Sequence, residues 1–213
     1  IEKNRKEIEE IDKKIAEIRR LGSDAIAVDV DVRDFAQCQA MVQAAIDKWG
    51  QVDVLVNNAG VIRIGPVVAF AEEDWDLIMD INLKGTFLCS KAISGHMMQR
   101  RTGRIINLSS IAGKRGNPVT SAYSTSKFGV IGFTQSHAAE MASFNVTVNC
   151  ICPGEVDTHM WRDILAPAIG AMSGPLHGGA PSRVLGMIEE VERRGDAAVY
   201  VKELLDQGER LMG

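Results

Sequence analysis

The 213-residue sequence predicts an α/β fold, a doubly wound parallel sheet built as a three-layer sandwich. Short apolar runs of strand length recur at 25–30, 52–58, 104–110 and 146–151, and a segment of helical periodicity separates each from the next. Runs that are apolar at nearly every position fit strands of a parallel sheet covered on both faces. A polar stretch follows each run, VDVDVRD, NNAG, SSIAG and PGEVDT in turn. In open parallel sheets, ligands gather outside the carboxyl ends of the strands, where such loops converge.

The elements follow in order along the chain. Residues 2–21 place Ile8, Ile11, Ile15, Ile18 and Leu21 at spacings of three and four among mixed charges, the period of an amphipathic helix, and Gly22 stops it. Its charge run reads as a solvated face. AIAVDV (25–30) is a short strand, Phe35 to Trp49 a helix, and VDVLVNN (52–58) a second strand. Residues 72–101 form a long helical pattern interrupted near NLKG (82–85). RIINLSS (104–110) is a strand, about 122–142 a helix, and VTVNCI (146–151) a strand.

With 46% hydrophobic and 24% charged residues, the chain suits one globular α/β domain with a substantial core. A net charge of -4 leaves no basic stripe for a phosphate backbone, so nucleic acid is not an expected partner. Charged residues interrupt every apolar run before it reaches spanning length, so no membrane association is expected. Cys38, Cys89, Cys150 and Cys152 lack metal-ligand spacing and follow no secretory signal, so reduced thiols in a cytoplasmic chain are expected. The four histidines are scattered singly, and no metal site is expected.

SAYSTSK (121–127) sets Tyr123 and Lys127 four positions apart among small residues. On a helix, i and i+4 share a face about 5 to 6 Å apart, so the Lys127 ammonium can sit beside the phenol and favour phenolate. A bare pair of this kind is more often a solvated face. NNAG alone reads as a tight turn, Pro-Gly as a loop breaker and Ser-Ser as a strand end or cap. The conjunction points to a site.

Over roughly residues 25–160 these features resemble the single-domain, nicotinamide-dependent form of the short-chain dehydrogenase/reductase family. The residues that carry the resemblance are Asp31-Val32 after a strand, NNAG at 57–60, Asn82, Ser110, the Tyr123 and Lys127 pair, and Pro153-Gly154 with Thr158. Ser110 stands thirteen residues before Tyr123, and Asn82 twenty-eight before Ser110. The fold implied is Rossmann-like, and the cofactor is NAD or NADP.

The resemblance also implies roles. Tyr123 is the general acid/base; its ordinary pKa near 10 must be lowered by Lys127 and the positive nicotinamide for it to act as a base. Lys127 also bonds the nicotinamide ribose, Ser110 holds the substrate oxygen, and Asn82 breaks its helix and holds a water that relays protons from Lys127. On the cofactor side, Asp31 accepts from the adenine amino group and Val32 offers its amide to the ring. Asn58, Ala59 and Gly60 let the backbone approach the adenosine, Val156 meets the carboxamide, and Thr158 bonds carboxamide or phosphate beyond Pro153-Gly154. Asp29 is a rival for Asp31. Taken singly, Ser110 and Asn82 keep capping and helix-kink readings.

Both ends depart from the family pattern. No T-G-x-x-x-G-x-G loop precedes residue 25, and the residue that selects NAD or NADP belongs to that unit. In the family's strand order, 3-2-1-4-5-6-7, AIAVDV is strand three and VDVLVNN strand four. Two strands belong between them, so the fold is expected to be incomplete as written, with a gap of roughly 14 Å and exposed apolar strand faces beside it. We read residues 1–165 as a truncated core and 166–213 as a substrate-loop region with a C-terminal helical segment; 188–206 faintly resemble a helical segment of histidinol dehydrogenases.

The expected activity is interconversion of a small secondary alcohol or polyol and its ketone, because the string Thr158, Met160 and Trp161 resembles acetoin reductases and polyol dehydrogenases more than 3-oxoacyl-carrier-protein reductases. Glu155 and His159 would flank the same pocket. The alternatives are a 3-oxoacyl thioester reductase, or a non-catalytic truncated relative acting in assembly. Apolar positions Phe87, Phe128, Ile131 and Phe133 exceed what one sheet face needs, and the resemblance implies that their two helices pair across a two-fold axis, so a homodimer or homotetramer is expected.

Overall fold

The structure, a computed structural model, describes residues 2–154 together with 156, 158 and 162. Two compact units divide at Gly154 and Glu155, and the elements below belong to the first. They are α1 (Glu2–Arg20), α2 (Phe35–Trp49), β1 (Val54–Asn57), α3 (Glu72–Ile78), α4 (Gly85–Arg100), β2 (Gly103–Leu108), α5 (Ser121–Met141) and β3 (Val146–Ile151).

Local chemistry sets the helix ends. Asp34 caps α2 by accepting from the amides of Ala36 and Gln37, which satisfies two of the donors that a helix start leaves orphaned. Gly50 ends the same helix at φ 78°, a left-handed conformation that glycine adopts without a Cβ penalty. Between α3 and α4 the chain forms a π-helical segment, Met79–Lys84, so the interruption expected near NLKG is present. Asn82 lies inside it, buried.

The three strands are parallel in the order β1-β2-β3. The register Leu55↔Ile105 and Ile105↔Val148 aligns one face of the sheet. That face carries Ile105, Val146 and Val148, which pack with Val42 of α2, Ile93 and Met97 of α4 and Met141 of α5. A second cluster joins Cys38, Leu88 and Cys89, with Val32 and Leu55 against it. At about 1.5–3 kcal/mol for each fully buried aliphatic side chain, this layer of helix on sheet is the main favourable term described.

The opposite face differs. Val54 is 46% and Val56 53% exposed. The expectation of apolar strand surface beside β1 is met there, since period-two alternation puts these valines opposite the helical layer.

AIAVDV is a correction. Residues 25–30 form no strand. An apolar run becomes a strand only where another strand completes its backbone hydrogen bonds, and among the described residues β1 is bonded to β2 alone. Ile26 and Val28 remain exposed, and the Ala25 carbonyl accepts instead from the side chains of Arg19 and Lys48. The α1 helix forms as expected, but Ile11, Ile18 and Leu21 stay exposed rather than buried in a stripe. Among the described residues no helix is long and apolar enough to cross a membrane.

Candidate active site

Three segments at the carboxyl ends of the strands, with α5, assemble the expected residues. After β1 come Asn58, Ala59 and Gly60; after β2 comes Ser110; after β3 come Pro153 and Gly154. The Ile111 amide donates to the Pro153 carbonyl at 2.8 Å, so the turn holding Ser110 is tied to the Pro-Gly loop. Ser110 also caps that turn, its hydroxyl accepting from the Ala112 amide at 3.1 Å. The capping reading and the site reading are therefore compatible in one side chain.

Tyr123 and Lys127 lie on the first two turns of α5. The Lys127 ammonium is 5.6 Å from the centre of the Tyr123 ring, in keeping with their i, i+4 spacing. Burial raises the Tyr123 pKa above its ordinary value, and the neighbouring Ser110 hydroxyl only partly offsets this. The lowering expected from Lys127 together with the positive nicotinamide is not reproduced by Lys127 in the chain by itself. The physical reason is that the Lys127 ammonium is directed to the Leu108 carbonyl, at 2.8 Å. Lys127 is itself 5% exposed, and burial pushes its pKa down, with Cys150 nearby opposing the shift.

Asn82 joins two parts of the site. Its Oδ1 accepts from the Val61 amide at 2.8 Å, while its Nδ2 donates to the Val61 carbonyl at 2.9 Å and to Ser126 Oγ at 3.1 Å. Ser126 in turn donates to the Tyr123 carbonyl at 2.7 Å. The loop after β1 is thereby fastened to the tyrosine helix. A Cβ added at Gly60 would stand 3.4 Å from Asn82 Oδ1 and 3.6 Å from Lys127 Nζ, so the backbone of NNAG lies directly against the site.

A groove away from the phenol is lined by Asp29, Val30, Asp31, Val32, Arg33, Ala59, Leu77 and Ile81. Both candidate acids, Asp29 and Asp31, face it. Val32 also packs toward Gly85, where an added Cβ would meet its Cγ2 at 2.7 Å. Arg33 forks onto Asp31, with Nη2 to Oδ2 at 2.6 Å, and holds the Asp31 pKa down at about 2.

Val156 and Thr158 fall in the second compact unit; Val156 is 52% exposed, and the Thr158 carbonyl accepts from the Arg162 amide at 3.0 Å. Glu155, His159, Met160, Trp161 and the C-terminal helical patterns lie outside the described residues.

Sequence reasoning missed Arg33 and a buried polar chain beneath the site. Asn57 Nδ2 donates to Ser90 Oγ at 2.9 Å and to Asn107 Oδ1 at 2.8 Å, and Asn107 Nδ2 donates to Thr134 Oγ1 at 2.9 Å. These bonds fasten β1 and β2 to α4 and α5. The signal was present: period two places Asn57 on the face of Leu55 and Asn107 on the face of Ile105, so both amides were bound to be covered and to need partners.

Comparison with known proteins yields two family matches. The short chain dehydrogenase family matches residues 2–168, and the citrate synthase C-terminal domain matches residues 158–213. A 3-oxoacyl-[acyl-carrier-protein] reductase from Synechocystis sp. is 42% identical over 187 residues, which cover 88% of this chain and 75% of that protein. The structure of NAD+-bound xylitol dehydrogenase is similar with a TM-score of 0.71 and 32% identity, covering 74% of this chain and 62% of that one. A gluconate 5-dehydrogenase from Burkholderia cenocepacia, in complex with NADP and tartrate, gives 0.69 and 31%, covering 72% of this chain and 60% of that one. The chain thus spans 62% and 60% of the lengths of those two structures. The segment 188–206, read from sequence as faintly like histidinol dehydrogenases, lies inside the citrate synthase match.

Proposed function

Because the chain belongs to the short-chain dehydrogenase family, we propose that it transfers hydride between NAD or NADP and a secondary alcohol or its ketone. The observation that carries this reading is the Lys127 ammonium 5.6 Å from the centre of the Tyr123 ring, with Ser110 on the turn that follows β2 beside the phenol. The residues fit the cofactor. The glycine-bearing NNAG backbone runs against Lys127, and the groove offers apolar Val30, Val32, Ala59 and Ile81 for a flat ring beside the acceptor Asp31.

When bound, the dinucleotide supplies or accepts the hydride. Tyr123 gives its phenolic proton to the carbonyl oxygen in reduction and removes the hydroxyl proton in oxidation. Ser110 holds that oxygen, Lys127 binds ribose and favours the phenolate, and Asn82 keeps the loop after β1 in register and serves the proton relay. Asp31, Val32, Asn58, Ala59 and Gly60 take the adenosine end; Pro153, Gly154, Val156 and Thr158 take the nicotinamide end.

Two substrate classes fit. A small polyol accords with the similarity to xylitol and gluconate dehydrogenases. A 3-oxoacyl thioester is favoured by the higher identity, 42%, to a 3-oxoacyl-[acyl-carrier-protein] reductase. The test is an assay of polyols, acetoin and 3-oxoacyl thioesters, each with NAD(H) and NADP(H). Turnover of one class assigns the substrate, and no turnover of any with either cofactor overturns the reading in favour of the non-catalytic one.

The same reading makes 1–165 the truncated dehydrogenase core and 166–213 a substrate-loop region with a C-terminal helical segment, while the compact units divide earlier, after Gly154, and the second family match begins at residue 158. It also makes the protein a homodimer or homotetramer through α4 and α5, where Phe87 is 43% and Phe128 47% exposed. A monomeric mass in light scattering would remove that part.

A further inference from the structure

Cys38 of α2 and Cys89 of α4 bring their sulfurs to 3.6 Å inside the protein. Both are free thiols. Cys38 is 0% and Cys89 4% exposed, and Val30, Phe35, Met41, Leu55, Leu88 and Ala92 pack around them. Cys38 Sγ also donates to the Val32 carbonyl at 3.5 Å, so the pair stands directly behind a residue of the groove. The hydride chemistry proposed above uses neither thiol.

A disulfide bond is about 2.05 Å long, so the two sulfurs lack about 1.6 Å of closure. One turn further along each helix, Val42 and Ile93 belong to the main core cluster, which holds α2 and α4 in place. Closure therefore falls to rotation of the two side chains and not to movement of either helix. Cys150 and Cys152 are the other thiols. They lie two residues apart at the end of β3, where an extended backbone sets their Cα atoms about 6.6–6.8 Å apart, the outer limit for a bridge.

We propose that Cys38 and Cys89 form a modification site: oxidation by a small peroxide joins them in a disulfide that staples α2 to α4. One sulfur attacks a peroxide oxygen, the O–O bond breaks and water leaves, giving a sulfenic acid. The second sulfur then attacks the first, the S–O bond breaks and a second water leaves. Two thiols and one hydrogen peroxide give one disulfide and two waters, the electrons lost by sulfur reducing the peroxide. Burial raises both thiol pKa values, that of Cys89 to about 12, so thiolate is scarce and the reaction quickens as pH rises. Local opening of the helical layer admits a reagent as small as peroxide. The loop that the bond closes contains β1, Asn58, Ala59, Gly60, α3 and the groove residues Leu77 and Ile81, so the staple restrains the segment on which the site is built.

The experiment treats the full chain with hydrogen peroxide, alkylates it in denaturant and maps tryptic peptides by mass spectrometry. Trypsin leaves Cys38 in 34–48 and Cys89 in 85–91, whereas Cys150 and Cys152 share 128–162. The expected product links 34–48 to 85–91, forms faster at pH 9 than at pH 7, persists in the Cys150→Ser/Cys152→Ser variant and is reversed by dithiothreitol. The same treatment in urea gives mixed pairs. The linked chain melts about 4–16 °C higher than the reduced one, and a Cys38→Ser chain treated alike shows no rise. A folded chain that gives the mixed pairs seen in urea, carries Cys38 or Cys89 to sulfinic acid without linking them, or leaves both open to alkylation overturns the proposal. So does a linked chain whose melting midpoint does not rise.

Discussion

Asn82 grips Val61 by both backbone polar groups, accepting from its amide at 2.8 Å and donating to its carbonyl at 2.9 Å. A side-chain amide can imitate a strand partner in this way because its donor and acceptor lie side by side. The grip is local structure with a functional consequence, since Ser126 extends it to the tyrosine helix. Burial at 1% exposure makes the site intolerant of a lost partner. Asn82→Ala is expected to destabilise the chain by about 1–3 kcal/mol in urea unfolding. An unchanged midpoint would mean that the loop after β1 is held by something else.

The glycines near Lys127 differ sharply in what a methyl group would meet. At Gly113 an added Cβ would meet Ser109 Oγ and lie 2.7 Å from the Lys127 carbonyl oxygen, whereas at Gly116 nothing lies within 4 Å. Gly113→Ala must therefore push α5 and the Ser109–Lys127 tie apart, costing about 1–3 kcal/mol, while Gly116→Ala stays within about 0.5 kcal/mol of wild type. Thermal melts of the two variants make the comparison. Equal losses would show that the close packing of the 111–113 turn on α5 is not tight in solution.

The legibility of the chain follows from which physics is local. The helix 35–49 was readable to the residue because Asp34 and Gly50 carry its cap chemistry in their own side chains or lack of one. The placement of Tyr123 and Lys127 on one helix face and of Ser110 after a strand was readable because helical spacing and strand ends are sequence-local, whereas their roles came from the family resemblance. AIAVDV failed for the opposite reason, since a strand exists only with a partner and no property of residues 25–30 reports whether one is beside them. Arg33 was hidden because its fork onto Asp31 depends on a turn whose dihedrals leave no trace in composition. The citrate synthase match at 158–213 was invisible to periodicity, which read 166–213 only as a substrate-loop region with a C-terminal helical segment.

The buried amide chain predicts coupling. Asn107 is fully buried and bridges Asn57 to Thr134. Thr134→Val strips one acceptor and leaves an Asn107 N–H unpaired, and Asn107→Ala removes the needy group itself. Each single change is expected to cost about 1–3 kcal/mol, and the double variant should fall short of their sum, as neighbours in one network do. Strict additivity in a denaturant-based cycle would argue that the two side chains do not share a bond.

Lys127 and Tyr123 pull stability and activity in opposite directions, and pH separates them. Burial lowers the Lys127 pKa from 10.5, so over the window between its folded value and 10.5 the unfolded chain binds more protons and stability rises with pH. Below its folded value the folded state carries the full penalty of a buried ammonium. Lys127→Met, similar in length and apolar, is expected to leave stability at pH 7 within about 1 kcal/mol of wild type or higher, to abolish that alkaline rise, and to lose turnover and cofactor affinity together. Tyr123→Phe should instead keep cofactor affinity and lose turnover by about 10²–10⁴, since only the transferable proton is gone. Burial raises the Tyr123 pKa, so alcohol oxidation, which needs phenolate, should climb with pH, and ketone reduction, which needs the phenol, should fall. Unfolding midpoints at pH 7 and pH 10, with initial rates in both directions, decide the matter. A Lys127→Met variant destabilised by several kcal/mol would mean that its bond to the Leu108 carbonyl outweighs the cost of burying the charge. A flat pH profile that Tyr123→Phe leaves unaltered would remove Tyr123 from the chemistry.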